Sequence, residues 1–194
     1  MYIYGASGQA RVIIDMIDTT ETVHGVFDDN PELKEVLGYP VQHGIPPHFE
    51  FDQPFFIAIG ENKARKDISQ KINGKARFAT IVHPSALVSK RAEIGEGTVI
   101  MEGVIVKVNC TLGKQVIVNT GASVDHDCLL GDFVHLAPQA TLCGDISIGE
   151  GTIIGANALI LPRVNIGSWC KIGAGSIVTK DVPDGGTWIG TGLK

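Results

Sequence analysis

From Val82 to Val178 an aliphatic residue stands at every sixth position without a miss, seventeen in all. The series opens Val82, Val88, Ile94, Ile100 and closes Ile160, Ile166, Ile172, Val178. Neither an α-helix, with a period near 3.6, nor an amphipathic strand, with a period of 2, asks for this spacing. A repeat of six predicts a solenoid whose coil has short, equal sides. If the aliphatic position is called i, small or β-branched residues fill i+4, as at Thr98, Cys110, Ala122, Cys128, Ala140 and Ala158. Glycine recurs at i+1, as at Gly95, Gly113, Gly131, Gly149, Gly155, Gly167 and Gly173. Positions i and i+4 are therefore expected to point inward, and i+1 to need a permissive backbone. Three hexapeptide sides make one triangular coil, and Val82 to Val182 holds about five and a half coils. Such a coil cannot bury its apolar face alone; each tier covers its neighbour.

Residues 1 to about 78 lack the repeat. Tyr2-Ile3-Tyr4 reads as a strand, Gly5-Ala6-Ser7-Gly8 as a glycine-rich turn, and Gln9 to Ile17 as a helix with Val12, Ile13, Met16 and Ile17 apolar. Val23 to Phe27 reads as a second strand ending in the turn Asp28-Asp29-Asn30-Pro31, and Val41 lies in a short third one. Phe55 to Ile59 reads as a buried strand, then Gly60-Glu61-Asn62, then a helix from Lys63 to Ile72. This alternation predicts a small parallel α/β domain over 1–78, ahead of a coil domain over 79–194.

The formal net charge is −5 with no long basic run, which argues against nucleic acid and anionic membranes as partners. No apolar run approaches the ~20 residues that span a bilayer, and the N-terminus has no basic region followed by an apolar stretch. The expected location is cytoplasmic. Cys110, Cys128, Cys143 and Cys170 include no CxxC pair, and three of them fall on the small-residue positions of the repeat. They read as small buried hydrophobes rather than a disulfide or metal framework.

Once the coil is set, the polar residues that interrupt it become the candidates for chemistry. His126 occupies i+2 and Asp127 i+3, outside the aliphatic ladder, and His135 follows half a coil later. A lone surface histidine is most often inert. A carboxylate beside the imidazole changes that reading, since it can set the tautomer and raise the basicity of a group that already titrates near neutrality. Gly144 stands three hexapeptides beyond His126, which places it one coil above. A glycine there admits a ligand close to the backbone, whose N–H could serve a developing oxyanion.

The repeat, His126-Asp127, the Tyr4-Gly5-Ala6-Ser7-Gly8 turn and the phrase Phe56-Ile57-Ala58-Ile59-Gly60 together resemble the sugar acetyltransferases of the PglD/NeuD type, over essentially the whole chain. The resemblance implies an N-terminal Rossmann-like domain that holds a nucleotide sugar, and a left-handed parallel β-helix that assembles as a homotrimer with acetyl-CoA between neighbouring helices. Carried onto matching positions, it makes His126 the catalytic base and Asp127 its acidic partner. His135, Gly144, Ala156 and Ala174 become acetyl-CoA contacts, with Gly144 the backbone donor to the thioester carbonyl. Ser7, Gly8 and Gln9 take the phosphate turn, in keeping with the affinity of a helix start for anions. Asp28, Asp29 and Gly60 complete the nucleotide-sugar contacts. Gln9 stands where the family often has His, Asp127 where it often has Glu, and the tail from Thr187 to Lys194 departs from the common ending.

The activity so implied is acetyl-CoA-dependent N-acetylation of a UDP-linked 4-amino sugar in bacterial glycan synthesis, without a metal. O-acetylation of sialic acid or another sugar is the alternative. Two remoter readings share the coil: a γ-type carbonic anhydrase, for which His83, His126 and His135 would have to converge on zinc, and a non-catalytic trimeric scaffold. The glycine turn lacks the full GxGxxG fingerprint, which speaks against hydride transfer.

Overall fold

A computed structural model describes residues 1–17 and 21–194. The chain divides into two compact units, Met1–Ala79 and Thr80–Lys194.

The first unit is a five-stranded sheet with two helices. Its elements are β1 (Tyr2–Tyr4), α1 (Gly8–Ile17), β2 (Gly25–Asp28), β3 (Glu35–Val36), β4 (Tyr39–His43), β5 (Phe55–Ile57) and α2 (Asn62–Ile72). The order across the sheet is β3-β4-β2-β1-β5, and only the β3–β4 pair is antiparallel. β1 thus has β2 on one side and β5 on the other. The strand order reverses there, which opens a crevice at the carboxyl ends of β1 and β5. The core gathers Tyr4, Phe27, Phe55, Ile57 and Ile72. α1 buries Ala10, Ile13, Ile14 and Ile17, one stripe of a 3.6-period helix. Val12, expected on that stripe, is 42% exposed, and Ile14 takes the inward place. The β3–β4 hairpin turns at Leu37-Gly38, both with positive φ (48° and 83°). That is the hairpin-compatible geometry, and it hid from the sequence because Leu is a poor left-handed residue.

The second unit is a parallel β-helix with one two-residue strand per hexapeptide, from Ile81–Val82 to Ile177–Val178. Each strand stacks in register with the strand three hexapeptides further on, as when Ser123-Val124 pairs with Ile105-Val106 below and Thr141-Leu142 above. The result is three faces. The first carries the strands ending at Ile100, Val118, Leu136 and Ile154; the second, those ending at Val88, Val106, Val124 and Leu142; the third, those ending at Ile94, Leu112, Leu130 and Ile148. The i and i+4 side chains fill the interior: Val106, Cys110, Leu112, Val116, Val124 and Cys128 are all nearly inaccessible. Buried hydroxyls among them are satisfied, since Thr98 Oγ1 donates to Gly113 O and accepts from Val116 N. All four cysteines are free. The tail from Thr187 continues the first face, pairing with Lys171-Ile172 and then folding back as an antiparallel strand at Gly192–Leu193.

The glycines at i+1 have a different cause from the one expected. From Ile94 to Ile172 the left-handed residue of the corner is i+3, as at Asn109, Asp127, Asp145 and Asn157, with φ between 57° and 60°. At i+1 the constraint is the next tier: a Cβ on Gly155 would lie 2.5 Å from Ala174 N and 2.6 Å from Ile172 O. Where glycine stands at i+1 the next tier leaves no room for a Cβ, whereas Lys107, Asn119, Asp125 and Cys143 carry side chains at the same position elsewhere in the coil.

Candidate active site

The repeat turns a corner at i+2 and i+3, so residues one full coil apart share one corner on successive tiers. In the corner between the second and third faces, Val108-Asn109, His126-Asp127 and Gly144-Asp145 occupy three consecutive tiers. Backbone bonds tie them together: Asp127 N donates to Val108 O and Asp145 N to His126 O.

His126 Nδ1 is 2.8 Å from Asp127 Oδ2. The carboxylate can only accept, so Nδ1 carries the proton of the neutral ring and Nε2 presents its lone pair outward. The two side chains are 53% and 50% exposed, so that lone pair is open to a substrate. The hydrogen bond to Asp127 raises the pKa of His126 above the ordinary imidazole value, aided by the charge of Asp125 and opposed by partial desolvation. Asp127 is lowered below the usual carboxylate value, first by a hydrogen bond from Asn109 and then by the one from His126. Asp125 fixes the residue from the other side, its Oδ1 accepting the His126 N–H at 2.8 Å.

Gly144 lies directly against the imidazole. A Cβ there would sit 2.5 Å from both His126 Cε1 and Nε2. The glycine itself is buried, and among the described residues its N–H has no acceptor, though its carbonyl takes a bond from Arg163 N. An N–H without a protein acceptor, on the residue packed against a basic imidazole, is an element that an oxyanion can use. A groove of about 260 Å³ on the second face leads to this corner, lined by Ile105, Lys107, Ser123, Asp125, Thr141 and Cys143.

His135 is elsewhere. It begins a strand of the first face, between Ile117 and Ile153, with Nε2 3.3 Å from Asn119 Nδ2. Ala156 and Ala174 stack on one another in the corner that follows the first face, Gly175 N donating to Ala156 O. Within one chain they share a corner with each other and not with His126, because 144 and 156 are two hexapeptides apart rather than three. His83 also lies on the first face, just after Val82. Among the described residues no group of three or more His, Cys, Asp or Glu side chains is placed to hold a metal ion.

In the first unit, Ser7, Gly8, Gln9 and Gly60 meet at the switch between β1 and β5. Gly5 has φ 112° and would place a Cβ 2.7 Å from Ala58 O, so only glycine lets the turn pass this close to β5. Gly8 and Gln9 open α1, whose first N–H groups have no intrahelical acceptor. Gln9 Oε1 lies toward Gly60, and Gln9 Nε2 is buried without a protein partner. The loop bearing Gly60 is held by the buried Arg65, which donates to the carbonyls of Ile59 and Gly60 and to Asn62 Oδ1. Burial lowers the Arg65 pKa to about 10. Asp28 and Asp29 lie at the carboxyl end of β2, next to β1. Both oxygens of Asp28 are engaged with backbone N–H groups of Ala6 and Asn30, and Asp29 Oδ1 accepts from the Tyr4 hydroxyl. Asp28 therefore pins the glycine turn, and Asp29, whose Oδ2 lies 3.7 Å from Lys71 Nζ, ties the end of β2 to α2.

Asn109, Asp125, Asn119 and Arg65 escaped the sequence reading. The signal for Asn109 was present: it stands one coil before Asp127.

Residues 1–72 match the PglD N-terminal domain family, and residues 145–180 match the bacterial transferase hexapeptide repeat. The acetyltransferase domain of PglB from Neisseria gonorrhoeae is 34% identical, covers all of this chain and 97% of its own, and superposes with a TM-score of 0.92. A mutant of perosamine N-acetyltransferase from Caulobacter crescentus, in complex with CoA and GDP-perosamine, is 37% identical over all of this chain and 94% of its own, with a TM-score of 0.94. A curated UDP-N-acetylbacillosamine N-acetyltransferase from Bacillus subtilis is 39% identical over 109 residues, 51% of this chain and 50% of that protein. The match thus spans about half the length of that curated relative.

Proposed function

Because the chain belongs to the PglD-type sugar acetyltransferases, joining a PglD N-terminal domain to a hexapeptide-repeat left-handed β-helix, we propose that it transfers the acetyl group of acetyl-CoA to the amine of a nucleotide-linked sugar. One observation carries the reading: a carboxylate-backed imidazole packs directly against the buried Gly144 one tier on, and their neighbours Asp125 and Cys143 line an open groove.

The sugar amine arrives neutral and attacks the thioester carbonyl. His126 Nε2 takes the proton that the nitrogen sheds, and Asp127 stabilises the resulting imidazolium through Nδ1–H. The Gly144 N–H donates to the tetrahedral oxyanion. Collapse breaks the C–S bond, and the CoA thiolate leaves and is protonated from the imidazolium. General-base help contributes ~10²–10⁴-fold and one oxyanion donor ~10²–10³-fold. Orientation of the two substrates supplies the remainder.

The nucleotide end falls to the first unit. The N–H groups of the Ser7-Gly8-Gln9 turn suit a diphosphate, the orphaned Gln9 amide offers a donor, and the half-exposed Asp29 carboxylate, beside Lys71, suits a ribose or base. The base is uracil in this proposal, after the Bacillus relative; the Caulobacter enzyme takes GDP-perosamine. His135, Ala156 and Ala174 contact acetyl-CoA in a homotrimer, where one chain's corner meets a neighbour's face. The spacing that separates Ala156 and Ala174 from His126 within a chain favours this arrangement. No helix among the described residues is long and apolar enough to cross a membrane, and the proposed location is cytoplasmic.

The test is thiol release from acetyl-CoA with a panel of UDP- and GDP-linked amino sugars and with free sialic acid. The expected result is turnover of a nucleotide 4-amino sugar that drops at least ~100-fold in His126→Ala. Acetylation of sialic acid alone, or full turnover in His126→Ala, refutes the proposal.

A further inference from the structure

We propose that Asn109 is a positioning residue for the transfer, holding Asp127 in the orientation that keeps His126 as a base. The proposal rests on the reading of His126 as the base. Asn109 Nδ2 donates to Asp127 Oδ1 at 3.0 Å, while the opposite oxygen of the same carboxylate, Oδ2, receives His126 Nδ1–H at 2.8 Å. The two bonds grip the carboxylate from both oxygens. Rotation of the Asp127 side chain about its terminal torsion, which is otherwise broad and two-fold, breaks both bonds at once.

An exposed carboxylate needs such a grip. Asp127 is half exposed, and its own backbone is the left-handed corner residue, so neither burial nor packing locks it. Asn109 is well placed to supply the lock because it occupies the same slot one tier earlier, where Asp127 N already bonds to Val108 O. The donor is therefore set by the coil's register rather than by a loose side chain. An amide is also the right chemistry. It donates to Asp127 without adding charge, whereas a lysine there would neutralise the carboxylate that His126 relies on.

A plain backbone explanation exists and can be separated. Asn109 has φ 58°, and Asn is among the residues that tolerate this conformation. Glycine tolerates it better, so Asn109→Gly preserves the corner and removes only the amide. The other ionisable groups of the three tiers at this corner, Lys107, Cys110, Asp125, Asp127, Cys128, Cys143 and Asp145, are unchanged by that substitution.

The experiment compares the wild-type protein, Asn109→Gly and His126→Ala by steady-state kinetics, and titrates His126 in the first two by NMR. Asn109→Gly is expected to keep its melting temperature and its KM for acetyl-CoA, to lose roughly tenfold in kcat, and to lower the imidazole midpoint. Wild-type kcat, or an unmoved midpoint, in a folded Asn109→Gly protein overturns the proposal while leaving the base assignment intact. Undiminished turnover in His126→Ala overturns the base assignment, and this proposal with it, in a different variant.

Discussion

Replacing Gly144 with alanine separates the geometry of the site from the stability of the coil. The new Cβ would meet His126 Cε1 and Nε2 at 2.5 Å, where ordinary contact begins at about 3.4 Å. The ring must therefore move by nearly 1 Å, and both atoms that clash lie on the edge that faces the substrate. The imidazole is half exposed and can swing into solvent, so the collision is relieved by the side chain and not by the ladder. No left-handed φ is required at Gly144, so alanine fits the backbone, and the melting temperature should stay within a few degrees of wild type. Activity should not survive as well. Swinging out breaks the bond to Asp127, and a displacement of ~1 Å from productive geometry costs on the order of 100-fold. The added methyl also covers the N–H assigned to the oxyanion. The assay is CoA thiol release with the best nucleotide sugar, beside thermal melting of the same preparation. A folded Gly144→Ala protein with wild-type kcat would show that neither the imidazole position nor the Gly144 amide matters, and the reasoning would fail.

Two further outcomes follow from the same geometry. In the proposed mechanism His126 acts unprotonated, and its pKa is raised chiefly by Asp127; kcat/KM should therefore fall with decreasing pH through a limb above the ordinary imidazole value. In Asp127→Asn that limb should move to lower pH, and a pH–rate profile in which it stays or rises would contradict the assignment. Gly155→Ala should destabilise the coil by about 1–3 kcal/mol, because the atoms met at 2.5 and 2.6 Å are backbone atoms of the next tier that cannot swing aside; an unchanged urea midpoint would show that the tiers can separate.

The coil was legible because its cause is periodic. Inward-pointing Val106, Leu112 and Val118 each cover an equivalent aliphatic neighbour one tier away, so one rule applied seventeen times reads out the architecture. The glycine rule was read at the right positions for the wrong reason. Gly155 and its equivalents reflect crowding between tiers, a distance no single hexapeptide reveals, while the left-handed residues at i+3 are mostly not glycine at all. In the first unit, the strands and helices were legible from apolar patches, but the β3–β4 hairpin was not, because Leu37 takes a left-handed φ with none of the usual turn chemistry. The roles of Asp28 and Arg65 were hidden for another reason. Each is decided by which backbone groups come within reach after folding, Ala6 N for one and the carbonyls of Ile59 and Gly60 for the other.

The site differs from both cases, since its members are far apart in sequence yet predictable by division. Asn109, His126-Asp127 and Gly144-Asp145 meet because three hexapeptides return the chain to the same corner. A corner therefore works as a column in which each tier offers one variable pair of residues at a spacing set by the parallel ladder. Evolution of such a site needs no loop to be remodelled, because substitution at i+2 or i+3 changes the chemistry of one level while i and i+4 keep the core. The same arithmetic sets its limit. Residues two hexapeptides apart, such as Gly144 and Ala156, turn different corners of one chain, so no single column brings them together.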